Sequence, residues 1–93
     1  MTIGVLRFEL RLFSPKSLKE KRAIIKPLKN YLQTNFNVSV AELDKHDSWQ
    51  MSDIGIAMIS NDNAFIHKCF DSISTTIESR FPVIITSKNI EIL

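Results

Sequence analysis

Near the N-terminus apolar and charged residues alternate. Leu6, Phe8, Leu10 and Leu12 interleave with Arg7, Glu9 and Arg11, a period of two that predicts a strand over residues 2–13. Ile3 and Val5 carry apolar character onto the second face of that strand. Ser14-Pro15-Lys16 ends it, because proline has no N–H to donate to a ladder. From Ser17 the period becomes helical. Ser17 and Glu20 have the spacing of a capping box, in which the hydroxyl accepts from the Glu20 amide and the carboxylate reaches back to the Ser17 amide. Leu18, Ile24, Ile25, Leu28, Tyr31 and Leu32 then share one side of a helix predicted over Ser17 to Asn35. Pro27 lies inside it and predicts a kink, not a break, since the apolar stripe continues through it.

The remaining chain repeats this alternation of periods. Residues 37–44 predict a second strand around Val-Ser-Val-Ala-Glu-Leu, and residues 45–49 a polar loop. Residues 51–60 predict a third strand. Its run Ile54-Gly55-Ile56-Ala57-Met58-Ile59 is nearly all apolar, as expected for a central strand covered on both faces, or covered on one and engaged in assembly on the other. Asn61-Asp62-Asn63 supplies capping chemistry for a second helix ending near Arg80, with Phe65, Ile66, Cys69, Phe70, Ile73 and Ile77 at helical spacing. Pro82 stops it, and residues 83–93 predict a last strand. The order is βαββαβ. Two right-handed crossovers joined by a hairpin give an α+β ferredoxin-like plait, a four-stranded antiparallel sheet with both helices on one face. Ninety-three residues are expected to form this single domain, residues 1–93.

Composition narrows the class. A hydrophobic fraction of 44% and a charged fraction of 24% are those of a globular domain. No apolar run reaches the roughly 18 residues of a membrane span, and no basic segment precedes an apolar one as in a signal peptide. The single cysteine, Cys69, has no internal disulfide partner, which fits a cytoplasmic location. Charge is distributed unevenly: residues 1–31 hold eight Lys/Arg against two Glu, whereas residues 32–93 hold four against eight Asp/Glu. A basic segment on an otherwise acidic chain suits an anionic partner.

Most of that charge lies on the first helix. Lys19, Arg22, Lys26 and Lys29 fall within an arc of about 80° away from the apolar side, with Lys16 just upstream. Lys21 falls inside the apolar arc, its stem expected over the core and its amine reaching out. These six residues are candidates for contacting nucleic-acid phosphates, against the plainer reading of a solvated helix face. Stacking of bases on the sheet is not expected, because the outward positions Arg7, Glu9 and Arg11 include no aromatic ring. The loop residues Asp47, Trp49 and Gln50 are candidates for binding a partner, against Trp49 as a lid over the core. Asp44, His46 and Asp47 could ligate a metal, but aspartates in hairpin loops are more often turn formers, and no metal site or small-molecule cofactor is expected.

His67 is expected at the surface and Cys69 in the core. No Ser-His-Asp or Cys-His arrangement points to catalysis. Acyl-phosphate hydrolysis, known on this plait, needs an anion cradle that Phe13-Ser14-Pro15-Lys16-Ser17, with no glycine, does not supply. The apolar outer sheet positions suggest homodimerisation through that face.

Several segments together carry a resemblance. Ser17-Leu-Lys-Glu-Lys-Arg22, Phe36-Asn-Val-Ser-Val-Ala-Glu42, Asp47-Ser-Trp-Gln50, Ile54-Gly-Ile-Ala57 and Ser60-Asn-Asp62 resemble, in order, the YlxP-like family of small bacterial proteins of unknown function. The resemblance implies a ferredoxin-like fold, a cytoplasmic bacterial protein and a link to translation, since members are often encoded beside translation and ribosome-maturation factors. The expected function is a non-enzymatic module binding ribosomal or other structured RNA through the basic helix. The alternative is an assembly module that dimerises through its open sheet face.

Overall fold

Alternation along each strand decides which side chains meet the helices. The computed structural model describes all residues 1–93. It contains β1 (Thr2–Leu12), α1 (Leu18–Asn35), β2 (Ser39–Asp44), β3 (Met51–Ser60), α2 (Asn63–Arg80) and β4 (Val83–Ile92). The strands form one sheet in the order β2-β3-β1-β4, with every neighbouring pair antiparallel. This is the ferredoxin-like plait expected from the element order.

The inner face of β1 is Leu6, Phe8, Leu10 and Leu12, all buried, while Arg7 and Arg11 are exposed on the outer face. In β3 the inner residues are Ile54, Ile56 and Met58. Gly55, Ala57 and Ile59 face outward, and Ile59 is 52% exposed. The strand is therefore central in the sheet but covered on one face only. Ile25, Leu28 and Leu32 of α1 and Ile66, Phe70, Ile73 and Ile77 of α2 complete the core. Each such side chain contributes about 1.5–3 kcal/mol by leaving water. Phe65, expected with the apolar stripe of α2, is 49% exposed, and Cys69 is half-buried against the core.

Local sequence sets the helix ends. The Ser17 hydroxyl accepts from the Glu20 amide at 3.1 Å, as the capping box predicts. The return contact differs: the Glu20 carboxylate meets the Ser17 hydroxyl at 3.4 Å and not its amide. Asp62 caps α2, accepting from Ala64 and Phe65 amides. Helix α1 passes through Pro27 as one helix. Gly4 lets α2 approach β1, since a Cβ there would lie 2.5 Å from a methyl of Ile66. Two register shifts bend the sheet, one in the β1–β4 ladder after Glu9 and one in the β2–β3 ladder after Glu42. The second frees Leu43 to lie over Gly55 on the outer face. Neither helix is long and apolar enough to cross a membrane.

Candidate nucleic-acid interface

Lysine within the apolar arc of α1 has to find a partner or leave the core. Lys21 finds one. It is 2% exposed, and its ammonium lies 2.9 Å from Glu42 Oε2 on β2 and donates at 2.6 Å to the carbonyl of Lys45. The same carboxylate accepts from the hydroxyl of Ser52, fully buried on β3, at 2.6 Å. Three elements are thus joined by one ion pair, and no buried side-chain nitrogen or oxygen in it is left without a partner. This corrects the sequence expectation: the Lys21 amine does not reach out, and Lys21 is unavailable to phosphates. Removing an ammonium from water costs several kcal/mol unless it is paired, so it turns toward the carboxylate that β2 presents.

Burial raises the Glu42 pKa, but hydrogen bonds from Ser52 and Lys21 and the charges of Lys21 and His46 outweigh it, holding the carboxyl below its ordinary value.

The Lys45 carbonyl held by Lys21 orders the β2–β3 loop. Lys45 adopts a left-handed backbone with φ 66°, its N–H donates to the Asp44 carboxylate at 2.7 Å, and its carbonyl also accepts from Ser48 at 3.0 Å. The Ser48 hydroxyl accepts from the Met51 amide at 3.1 Å. Of the loop candidates, Asp47 and Trp49 are exposed, and the Gln50 carbonyl accepts from Leu12. Trp49 is 51% exposed, so it does not close over the core. The His46 ring sits 3.2 Å from the Glu42 carbonyl and 4.0 Å from its carboxylate. No three His, Cys, Asp or Glu side chains come together in a metal-binding arrangement.

The basic stripe flanks the sheet instead of lying on the far side of α1. Arg22, Lys26 and Lys29 line a groove of about 470 Å³ between α1 and the edge strand β2. Leu18, Ile25 and Val40 give it apolar lining, and Asn30, Gln33 and His46 add polar groups. Asn30 and Gln33 carry no signal in the sequence, and His46 stands out there only as a possible metal ligand; only the packing of α1 beside β2 places all three with the cations. Lys16 and Lys19 continue the stripe toward the start of α1 and are exposed. Lys16, Lys19, Arg22, Lys26 and Lys29 have no carboxylate partner within 4.0 Å. Arg7 differs. On the outer sheet face it makes a bidentate pair with Asp53, at 3.1 and 2.6 Å, and is neutralised there.

A family model described as "Protein of unknown function (DUF503)" matches residues 3–90. The uncharacterized protein YlxP of Bacillus subtilis (strain 168) is 37% identical over 82 residues, which is 88% of each chain. Among solved structures, a putative chlorite dismutase aligns with 99% of this chain at a TM-score of 0.52 and 11% identity. This chain spans 44% of that protein's length, and at this identity the likeness shows the fold alone.

Lys21→Met is expected to cost up to about 3 kcal/mol in chemical denaturation, because it leaves the partly buried Glu42 carboxylate without its countercharge. The triple replacement Lys21→Met, Glu42→Leu, Ser52→Ala is expected to recover most of that loss, since the Lys45 carbonyl keeps its bond from Ser48. The lowered Glu42 pKa also sets a pH dependence. A depressed carboxyl stabilises the fold above its unfolded value near 4.5, and the contribution is lost as pH falls through the native value. Denaturation of Glu42→Gln beside the parent across pH 7 to 3 is expected to show a gap at neutral pH that closes on the acid side.

Proposed function

This chain belongs to the DUF503 family, and we propose that it is a non-enzymatic module that binds structured RNA by its phosphates through the basic flank of α1. The observation that carries the reading is the alignment of Arg22, Lys26 and Lys29 along one groove, with Lys16 and Lys19 extending the line and no carboxylate within 4.0 Å of any of the five; the one carboxylate lining the groove, Glu42, is paired with Lys21. Unpaired cations spaced along a helix meet the repeating charge of a backbone without reading its sequence. The implied link to translation makes ribosomal RNA the first ligand to try, in the cytoplasm. Lys21 has no part in contact. Its role is to seat α1 against β2 and so form the groove.

A second reading is favoured by a different observation. Ile3, Val5, Leu43, Ala57, Ile59 and Ile84 share the outer sheet face, which neither helix covers, and Leu43, Ile59 and Ile84 are each more than 40% exposed. In this reading two copies pair about a twofold axis through that face. The two surfaces lie on different sides of the molecule, so one protein can use both.

Binding of a structured ribosomal RNA fragment, followed by fluorescence anisotropy, is expected to weaken roughly 50- to 150-fold between 50 and 200 mM salt if about four phosphates are neutralised. Changing Lys19, Arg22 and Lys26 together to Glu is expected to abolish it, and undiminished affinity in that variant would remove the reading. For the sheet face, sedimentation velocity is expected to show a dimer that Ile59→Glu converts to monomer. A monomer at all concentrations counts against pairing.

A further inference from the structure

Two aromatic side chains stand in solvent at one end of the sheet. Phe13 is 57% and Trp49 is 51% exposed. The β1–β3 ladder pairs Arg11 with Met51 and continues through a 2.8 Å bond from the Leu12 amide to the Gln50 carbonyl. Phe13 and Trp49 each lie one residue beyond that last bonded pair, and the same register continued one step would set them opposite each other. Neither ring is stacked on another aromatic side chain, the one such pair of the fold being Tyr31 with Phe81. Trp49 sits on a loop already ordered by the Lys21 ammonium, the left-handed Lys45 and the Ser48 hydroxyl. That contact of Lys21 with the Lys45 carbonyl also places the loop against the first turns of α1, where the basic stripe begins.

Charge at this end favours an anion. Arg11, Lys16, Lys19 and Lys45 are exposed and have no carboxylate within 4.0 Å. The acids here are Glu20, Asp44 and Asp47. Glu20 is hydrogen-bonded to the Ser17 hydroxyl and Asp44 to the Lys45 amide, all three acids keep their charge, and the four cations exceed them by one. Exposed rings bordered by unpaired cations suit a ligand with flat apolar faces and a negative backbone, a combination that unpaired nucleotides possess.

We propose that Phe13 and Trp49 form a stacking platform for unpaired nucleobases at the end of the basic track, so that the ligand is an RNA with single-stranded nucleotides beside the phosphates held by α1. The inference rests on the reading of α1 as an RNA-binding surface. It also changes where stacking is to be sought, from the middle of the strands, which have no outward aromatic, to their ends.

Trp49 is the only tryptophan of the chain, so tryptophan emission reports on this site alone. The full chain is titrated with a single-stranded 12-nucleotide RNA and with a blunt duplex of the same sequence, following tryptophan emission and the anisotropy of labelled RNA. The single strand is expected to quench Trp49 and the duplex to bind without quenching. Phe13→Ala is expected to weaken single-strand binding about tenfold and duplex binding less than twofold, and Phe13→Tyr, which keeps the ring, to restore it. Duplex and single strand binding alike, with no quenching or with Phe13→Ala within twofold of the parent, overturns the platform and leaves the reading of α1 intact. No binding of either RNA at low salt overturns both. An emission change that follows protein concentration without RNA assigns the rings to a second copy and overturns the platform.

Discussion

The buried contact between the Lys21 ammonium and the Glu42 carboxylate is the constraint to which the rest of the surface is tied. It fixes α1 against the edge strand β2, although β2 has only six residues and few apolar side chains of its own. Through the Lys45 carbonyl it also holds the turn that carries Asp47 and Trp49. A buried ion pair is seldom a large net source of stability, because desolvation of both charges offsets most of their attraction. Its directionality matters more here. An aliphatic residue at position 21 would tolerate many rotations of α1, whereas an ammonium that must meet one carboxylate and one carbonyl tolerates few.

That orientation gives α1 three distinct sides. Ile25, Leu28 and Leu32 face the core, Arg22, Lys26 and Lys29 border the groove beside β2, and Ala23 and Pro27 face solvent. The sheet is asymmetric in a comparable way. Its inner face is filled by β1 and β3 residues under the helices, while its outer face combines aliphatic side chains with the Arg7–Asp53 pair. The bidentate geometry at Arg7 leaves little charge for a phosphate, so the outer face is less basic than its arginine count suggests.

Much of this architecture was legible from period alone. The alternation through Leu6, Phe8, Leu10 and Leu12 and the helical spacing of Ile66, Phe70, Ile73 and Ile77 depend on local geometry, which every residue of a strand or helix obeys. Capping at Ser17 and Asp62 was equally local. The clustering of cations on α1 was visible as an arc on a helical wheel. The fate of Lys21 was not, because its partners lie 21 and 24 residues away on a strand and a loop. The exposure of Phe65 was hidden for a related reason, and that of Trp49 was left between two readings: both rings lie near the ends of elements, where the period no longer says whether anything packs above them.

Sequence by itself determined the order of elements, the inward faces of β1 and α2, the helix caps and the concentration of positive charge on α1, since each follows from interactions among residues close in the chain. Tertiary structure decided which set of β3 residues faced outward, that Lys21 is structural while Lys19 and Arg22 are free, that the basic stripe borders a groove, and that Phe13 and Trp49 are half exposed beyond the same end of the β1–β3 ladder. These depend on register and on the rotation of α1 over the sheet. Both are set by contacts between segments far apart in sequence, above all by the partner that a buried ammonium requires.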